Sequence, residues 1–160
     1  MQQQFVGEIK HLLSEVPQAL WADDSVCGLM YDFLPWYDIS AVSVQTLVDD
    51  AGDPAAWQYY NCVQSDCSRL ADIVSSYESS QSQKLHYHGL LIEAAAALLS
   101  LDFSAYGFPQ TVSEDGIGLY TPFLLQVTDM DGTFRFNYCE FVLAQRLAAS
   151  TPPITTRIDN

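Results

Sequence analysis

The stretch Leu85–Leu101, LHYHGLLIEAAAALLSL, constrains the fold more than any other part of the chain. Its apolar residues fall on every side of a 3.6-residue helix instead of along one stripe, the pattern of a helix surrounded by other elements. The run from Glu93 through Ala94–Ala97 to Leu98 and Leu99 combines high helix propensity with small side chains, so neighbours can approach its backbone closely. The stretch is too short to cross a bilayer and carries Glu93 in its middle. A buried central helix over 85–101 is therefore the first expectation.

At 160 residues, 49% of them hydrophobic, the chain suits one globular domain over 1–150, followed by a loose tail over 151–160. Twenty acidic residues stand against six basic ones, a net charge of -14. Such a field repels nucleic-acid phosphates and anionic lipid, and it attracts a basic protein. The opening MQQQFVGEIKHLL is amphipathic and lacks a basic segment ahead of an apolar core, so the expected location is the cytoplasm. There Cys27, Cys62, Cys67 and Cys139 would remain thiols.

Around the central helix the remaining elements follow from periodicity. Gln3–Glu15 reads as a helix that ends before Pro17. Val26–Phe33 and Ile39–Thr46 are rich in strand formers and lie about five residues apart, which predicts an antiparallel hairpin. Asp53 followed by Pro54 predicts a capped helix carrying Trp57, Tyr60 and Val63 inward. Cys67–Tyr77 has helical spacing, and Ser75–Ser82 reads as an exposed connection. Residues 102–118 suit a long functional loop. Leu119–Thr128 and Thr133–Tyr138 flank Asp129–Gly132 as a second hairpin, and Phe141–Ala149 suits a last helix. The predicted fold is α+β: two antiparallel hairpins forming a sheet, packed with four to five helices around the central one.

Catalytic signatures are lacking. Cys62, Cys67, His86 and His88 come nearest to a metal set. However, His86-x-His88 would place its rings on opposite sides of a helix, and the two cysteines are too widely spaced for a zinc pair. Asp129, Asp131 and Glu140 imitate a calcium loop, but Phe134 occupies the position that needs Gly. There is no phosphate-binding glycine loop, no G-x-S-x-G elbow and no H-E-x-x-H. No catalytic residue, cofactor or metal is assigned.

A surface remains. Asp32, Asp38, Asp49, Asp50 and Asp53 cluster in or beside the first hairpin, together with Trp36 and Tyr37. Aromatics anchor interfaces while acids steer a basic partner, so these seven residues are the candidate partner-binding set. The ordinary alternative is that the aromatics are core and the acids are the wet ends of strands.

Leu29-Met30-Tyr31-Asp32 on the first strand, with Trp57-Gln58-Tyr59-Tyr60 after the second, resembles the bacterial α+β domains of unknown function 4303 and related immunity-protein families. The likeness covers residues 5–78. It implies a protein encoded beside a secreted toxin or effector, which binds that toxin and neutralises it without turnover. Two other classes stay open: a small-molecule-binding or enzymatic domain with a pocket near His86, His88 and loop 102–118, and a structural or adaptor subunit.

Overall fold

The computed structural model describes residues 1–21, 23–106, 111–113, 120–129 and 136–150. Among these residues it is a mixed α/β arrangement of five α-helices and a four-stranded sheet that contains both antiparallel and parallel pairs. Among the described residues no helix is long and apolar enough to cross a membrane.

Helix α1 spans Gln2–Glu15 and buries Phe5, Glu8, Ile9, Leu12 and Leu13, a stripe at helical spacing. Val16, the residue before Pro17, is extended, so the helix ends at Glu15. The short α2 (Gln18–Trp21) leads into β1 (Val26–Leu34), which pairs antiparallel with β2 (Ile39–Thr46). The connection is a 3-10 turn at Pro35–Tyr37, closed by Asp38 in the left-handed region at φ 54°. Alternation along β1 sends Leu29, Tyr31 and Phe33 into the helical core. Phe5 meets Tyr31 and Phe33 edge-on, with ring centres 6.3 and 5.2 Å apart.

The expected helix after Asp53 does not form. A single 3-10 turn at Pro54–Ala56 ends at an extended Trp57, and β3 (Tyr59–Asp66) then pairs antiparallel with β2. Asp53 and Pro54 are true local start signals. The β-prone Tyr59, Tyr60 and Val63 instead find the open edge of β2, and long-range pairing overrides the local preference. A bulge near Asn61, at φ 46°, accommodates the register shift.

Asp66 accepts a hydrogen bond from the Ser68 N–H at 3.2 Å and caps a 3-10 turn at Cys67–Leu70, which continues into α3 (Ala71–Glu78). Ser75–Glu78 thus belong to a helix, and the predicted connection shrinks to its second half. The central helix α4 spans Gln83–Leu98. It packs against α1, α3, α5, β1 and β6, burying Tyr87, Leu90, Leu91, Ala94, Ala95, Ala97 and Leu98. Leu85 and Gly89 are exposed, so one face of α4 is open near its start.

The segment expected to form the second hairpin divides: Leu124–Val127 is a strand, Tyr138 is helical, and Thr133–Arg135 between them lie outside the described residues. Strands β4 (Thr111–Ser113) and β5 (Tyr120–Pro122) form a separate two-stranded pair. Strand β6 (Leu124–Val127) joins β1 in parallel, giving the order β3-β2-β1-β6. A period of two identifies a strand but not its partner, and the intervening helices supply the crossover that a parallel pair requires. Tyr138 opens helix α5 (Tyr138–Ser150) instead of ending a strand. Asn137 Oδ1 accepts the Cys139 N–H at 3.0 Å, a helix cap hidden inside an alternating sequence. In the 102–118 segment, Phe103–Tyr106 form a 3-10 turn. Residues 107–110, 114–119, 130–135 and 151–160 lie outside the described residues, and with them the middle of the expected loop, Asp131, Thr133–Arg135 and the tail.

Candidate functional site

The seven residues singled out for partner binding separate into three places. Trp36, Tyr37 and Asp38 sit at one end of β2, and Asp49, Asp50 and Asp53 follow its other end. At about 3.4 Å per residue the strand holds the two groups about 25 Å apart. Asp32 is 1% exposed and belongs to neither. They do not make one continuous face.

At the first end, Trp36 is half-buried against Tyr87 (ring centres 4.8 Å) and Tyr77 (6.2 Å), so it packs structurally. The Tyr87 hydroxyl donates to the Phe33 carbonyl at 2.8 Å and ties this aromatic group to β1. Tyr37 is 63% exposed, and Asp38 is exposed beside it.

At the second end the chain makes a rigid acidic turn. Asp49 accepts the Thr46 N–H at 2.8 Å, the Thr46 hydroxyl at 2.7 Å and the Gln58 N–H at 3.1 Å. Burial works to raise the Asp49 carboxyl, and these bonds outweigh it, holding the group below the ordinary carboxylate range. The Trp57 indole N–H donates to the Asp50 carbonyl at 2.7 Å, and the Gly52 N–H donates to the Asp50 carboxylate at 2.8 Å. Leu47 and Val48 project from the turn, Val48 being 85% exposed. A loop pinned at so many points loses little freedom on binding.

This turn forms one wall of a cleft of about 300 Å³ through Ala51, Gly52 and Pro54. The floor is Leu124, Gln126 and Thr128, and the far wall is Asn137 with Glu140 in the first turn of α5. Asn137 is held in place: its side-chain N–H donates to the Leu125 carbonyl at 3.1 Å while its oxygen caps α5. Among the described residues the lining carries one acid, Glu140, and no base.

The floor belongs to the sheet face that points away from α1. Alternation and register place three rows there: Gln45, Gly28 and Leu124; Ser43, Met30 and Gln126; Ala41 and Asp32, with Thr128 next in line. Ser43, Gln45, Gln126, Thr128 and Asp32 are all buried, an unusually polar interior face. Gly28 makes room for Gln45, since a Cβ there would lie 2.6 Å from Gln45 Oε1 and 3.1 Å from the Leu124 carbonyl and would displace the Gln45 side chain. Both Asp32 oxygens and Gln45 Oε1 lack a hydrogen-bond partner among the described residues. Burial pushes the Asp32 carboxyl up to about 7.

A second buried acid was missed by the sequence reading. Glu8 is fully buried on α1, accepting the Ser40 hydroxyl at 2.5 Å and the Ser65 hydroxyl. Arg69 lies 3.9 Å away and is half exposed. The signal was present, since Glu8 stands at i+3 from Phe5 on the apolar stripe. Tyr31 is held well above its ordinary range by burial and then by the Glu8 charge.

The histidines do not converge. His86 Nε2 lies 3.1 Å from the Ser76 hydroxyl and lines an open depression with Ser80, Ser82, Leu85 and Gly89, whereas His88 Nδ1 contacts the Tyr138 hydroxyl. Among the described residues no group of three or more His, Cys, Asp or Glu could hold a metal ion. Burial pushes the thiols of Cys67 and Cys139 up to about 12 each, far from the range of an activated nucleophile.

No protein-family model matches the chain, and no curated protein or solved structure matches it with significance. The likeness of residues 5–78 to immunity-type domains rests on the sequence motifs alone.

Proposed function

We propose that this chain is a non-catalytic binding protein of the immunity type, which captures a basic segment of a toxin or effector and blocks it without turnover. The cytoplasm is its place of action in this reading. The supporting observation is the cleft walled by the pinned Asp49–Pro54 turn and by Glu140, with no basic side chain among the described residues of its lining. Preorganisation limits the entropic cost of docking, and the -14 charge steers a basic partner toward the surface. Exposed Leu47 and Val48 at the same turn provide apolar contact. The Tyr37–Asp38 end contributes only if the partner spans the sheet.

The alternative of a small-molecule or enzymatic site at His86, His88 and the 102–118 segment has less support, because His86 and His88 engage different partners. The reading is tested by capturing partners with the tagged whole chain, eluting with rising salt, and measuring association rates of the recovered protein. The double variant Asp50→Lys/Asp53→Lys should slow association at least about tenfold at low salt. An unchanged on-rate would remove the turn from the interface, and recovery of a bound metabolite without any protein would favour the alternative.

A further inference from the structure

We propose that the outer edge of β3 receives an extended basic segment of the protein partner as an added strand, an inference that rests on the reading of a basic partner. The order β3-β2-β1-β6 leaves two edges, and the chain treats them differently. At β6 the Asn137 side chain stands where a neighbouring strand would. Its amide donates to the Leu125 carbonyl at 3.1 Å, and its oxygen accepts the Val127 N–H at 3.4 Å. At β3, among the described residues, no strand pairs with the outer side. The sequence does not guard this edge either: Tyr59–Asp66 holds no Lys, Arg or Pro, residues that commonly blunt an exposed strand. Gln64 and Asp66 are exposed, and Cys62, Val63 and Ser65 are half-buried.

The bulge near Asn61 interrupts the start of the strand, and beyond it Val63–Asp66 run in unbroken register with Val42–Ile39. Along that run alternate residues turn N–H and C=O away from β2, ready to bond an incoming backbone. Acidic groups lie at both ends of the edge. Ile39 faces Asp66, so exposed Asp38 and Asp66 mark one end. At the other, the Gln58 N–H bond to Asp49 at 3.1 Å ties the start of β3 to the Asp49–Asp53 turn. Eight residues at about 3.4 Å each place these groups about 24 Å apart, so one extended segment meets both, although they form no continuous face. Arg69, beyond Asp66, offsets part of this charge while lying 3.9 Å from Glu8. A second copy of the chain would bring another charge of -14 to the edge, which opposes self-pairing and favours a basic strand. Backbone bonds then hold the segment, and the flanking acids select its charge.

The probe is the peptide acetyl-Lys-Thr-Val-Thr-Val-Thr-Lys-amide, added to the full chain labelled with nitrogen-15, with amide hydrogen exchange as the readout. A counterpart methylated on every internal amide nitrogen keeps both charges but cannot donate to a strand. The parent peptide should slow exchange at alternate residues within 62–66 at least about tenfold, and the methylated one should not. The double variant Asp38→Asn/Asp66→Asn should weaken parent-peptide binding at least about fivefold at low salt. Asparagine keeps the left-handed backbone at 38 and the cap at 66, so the loss reads charge. Equal protection by the methylated peptide, or protection of the same amides by a dimer of the chain without peptide, would overturn the inference. If the peptide perturbs Gln126 or Glu140 and leaves β3 unmoved, the inference is overturned while the cleft reading stands. If it perturbs neither region, both fall. Exchange is measured on the unaltered chain, so it decides the question even if the double variant fails to fold.

Discussion

Replacing Asp32 with asparagine isolates the cost of ionising a carboxyl inside the sheet. Asp32 ionises near pH 3.8 when exposed and near 7 when folded, because burial disfavours its charge. At about 1.36 kcal/mol per pH unit, that gap is worth about 4 kcal/mol. The folded value lies above the unfolded one, so the native state holds its proton to higher pH. The contribution of Asp32 to stability is therefore intact below about pH 4, is lost as pH rises toward 7, and is gone above it. Asparagine has nearly the same shape and no charge to lose. Urea unfolding of both proteins at pH 4 and pH 8 should then show the Asp32→Asn advantage growing by about 3 to 4 kcal/mol between the two. Asp23, Asp49 and Asp66 are held below the ordinary range and act in the opposite sense, their stabilisation being lost as pH falls. They are present in both proteins and cancel in the comparison. An advantage that stays constant within about 1 kcal/mol across this range would mean that Asp32 is paired or hydrated in the free protein, and the reasoning would fail.

Other substitutions probe the scaffold. Asp49→Ala should lower stability by about 2 kcal/mol, since the Thr46 and Gln58 donors lose their acceptor, and a thermal melt at neutral pH reads it. Glu8→Ala removes the buried acceptor of the Ser40 and Ser65 hydroxyls, which keep only each other and the Asp66 carbonyl, and should cost about 2 kcal/mol, whereas Arg69→Ala, acting at 3.9 Å from a half-exposed position, should cost under about 1. Equal effects in denaturant unfolding would overturn that ranking. Trp36→Ala removes a ring packed on Tyr77 and Tyr87 and should destabilise by about 2 kcal/mol; Tyr37→Ala, at an exposed ring, should leave the midpoint within about 0.5 kcal/mol.

Patterns that lie within one element were legible in the sequence. Phe5, Ile9, Leu12 and Leu13 announce α1, and the alternation of Leu29, Tyr31 and Phe33 with the run from Ile39 to Thr46 announces β1 and β2. A side-chain period is a property of consecutive residues, so it survives without the fold. Choices of partner are different, because they depend on which surface is free once the core has assembled. That is why the Asp53–Pro54 start signal yielded one turn and β3, and why β6 takes β1 as a parallel neighbour. The candidate site divides the same way. The acidic turn at Asp49–Asp53 is visible as a cluster of turn formers, and its cleft is built by Leu124, Gln126, Asn137 and Glu140 from far along the chain. Asp32 reads as one more surface acid beside aromatics; only the tertiary structure buries it, because a strand covered on both faces leaves no wet side to which an acid can point.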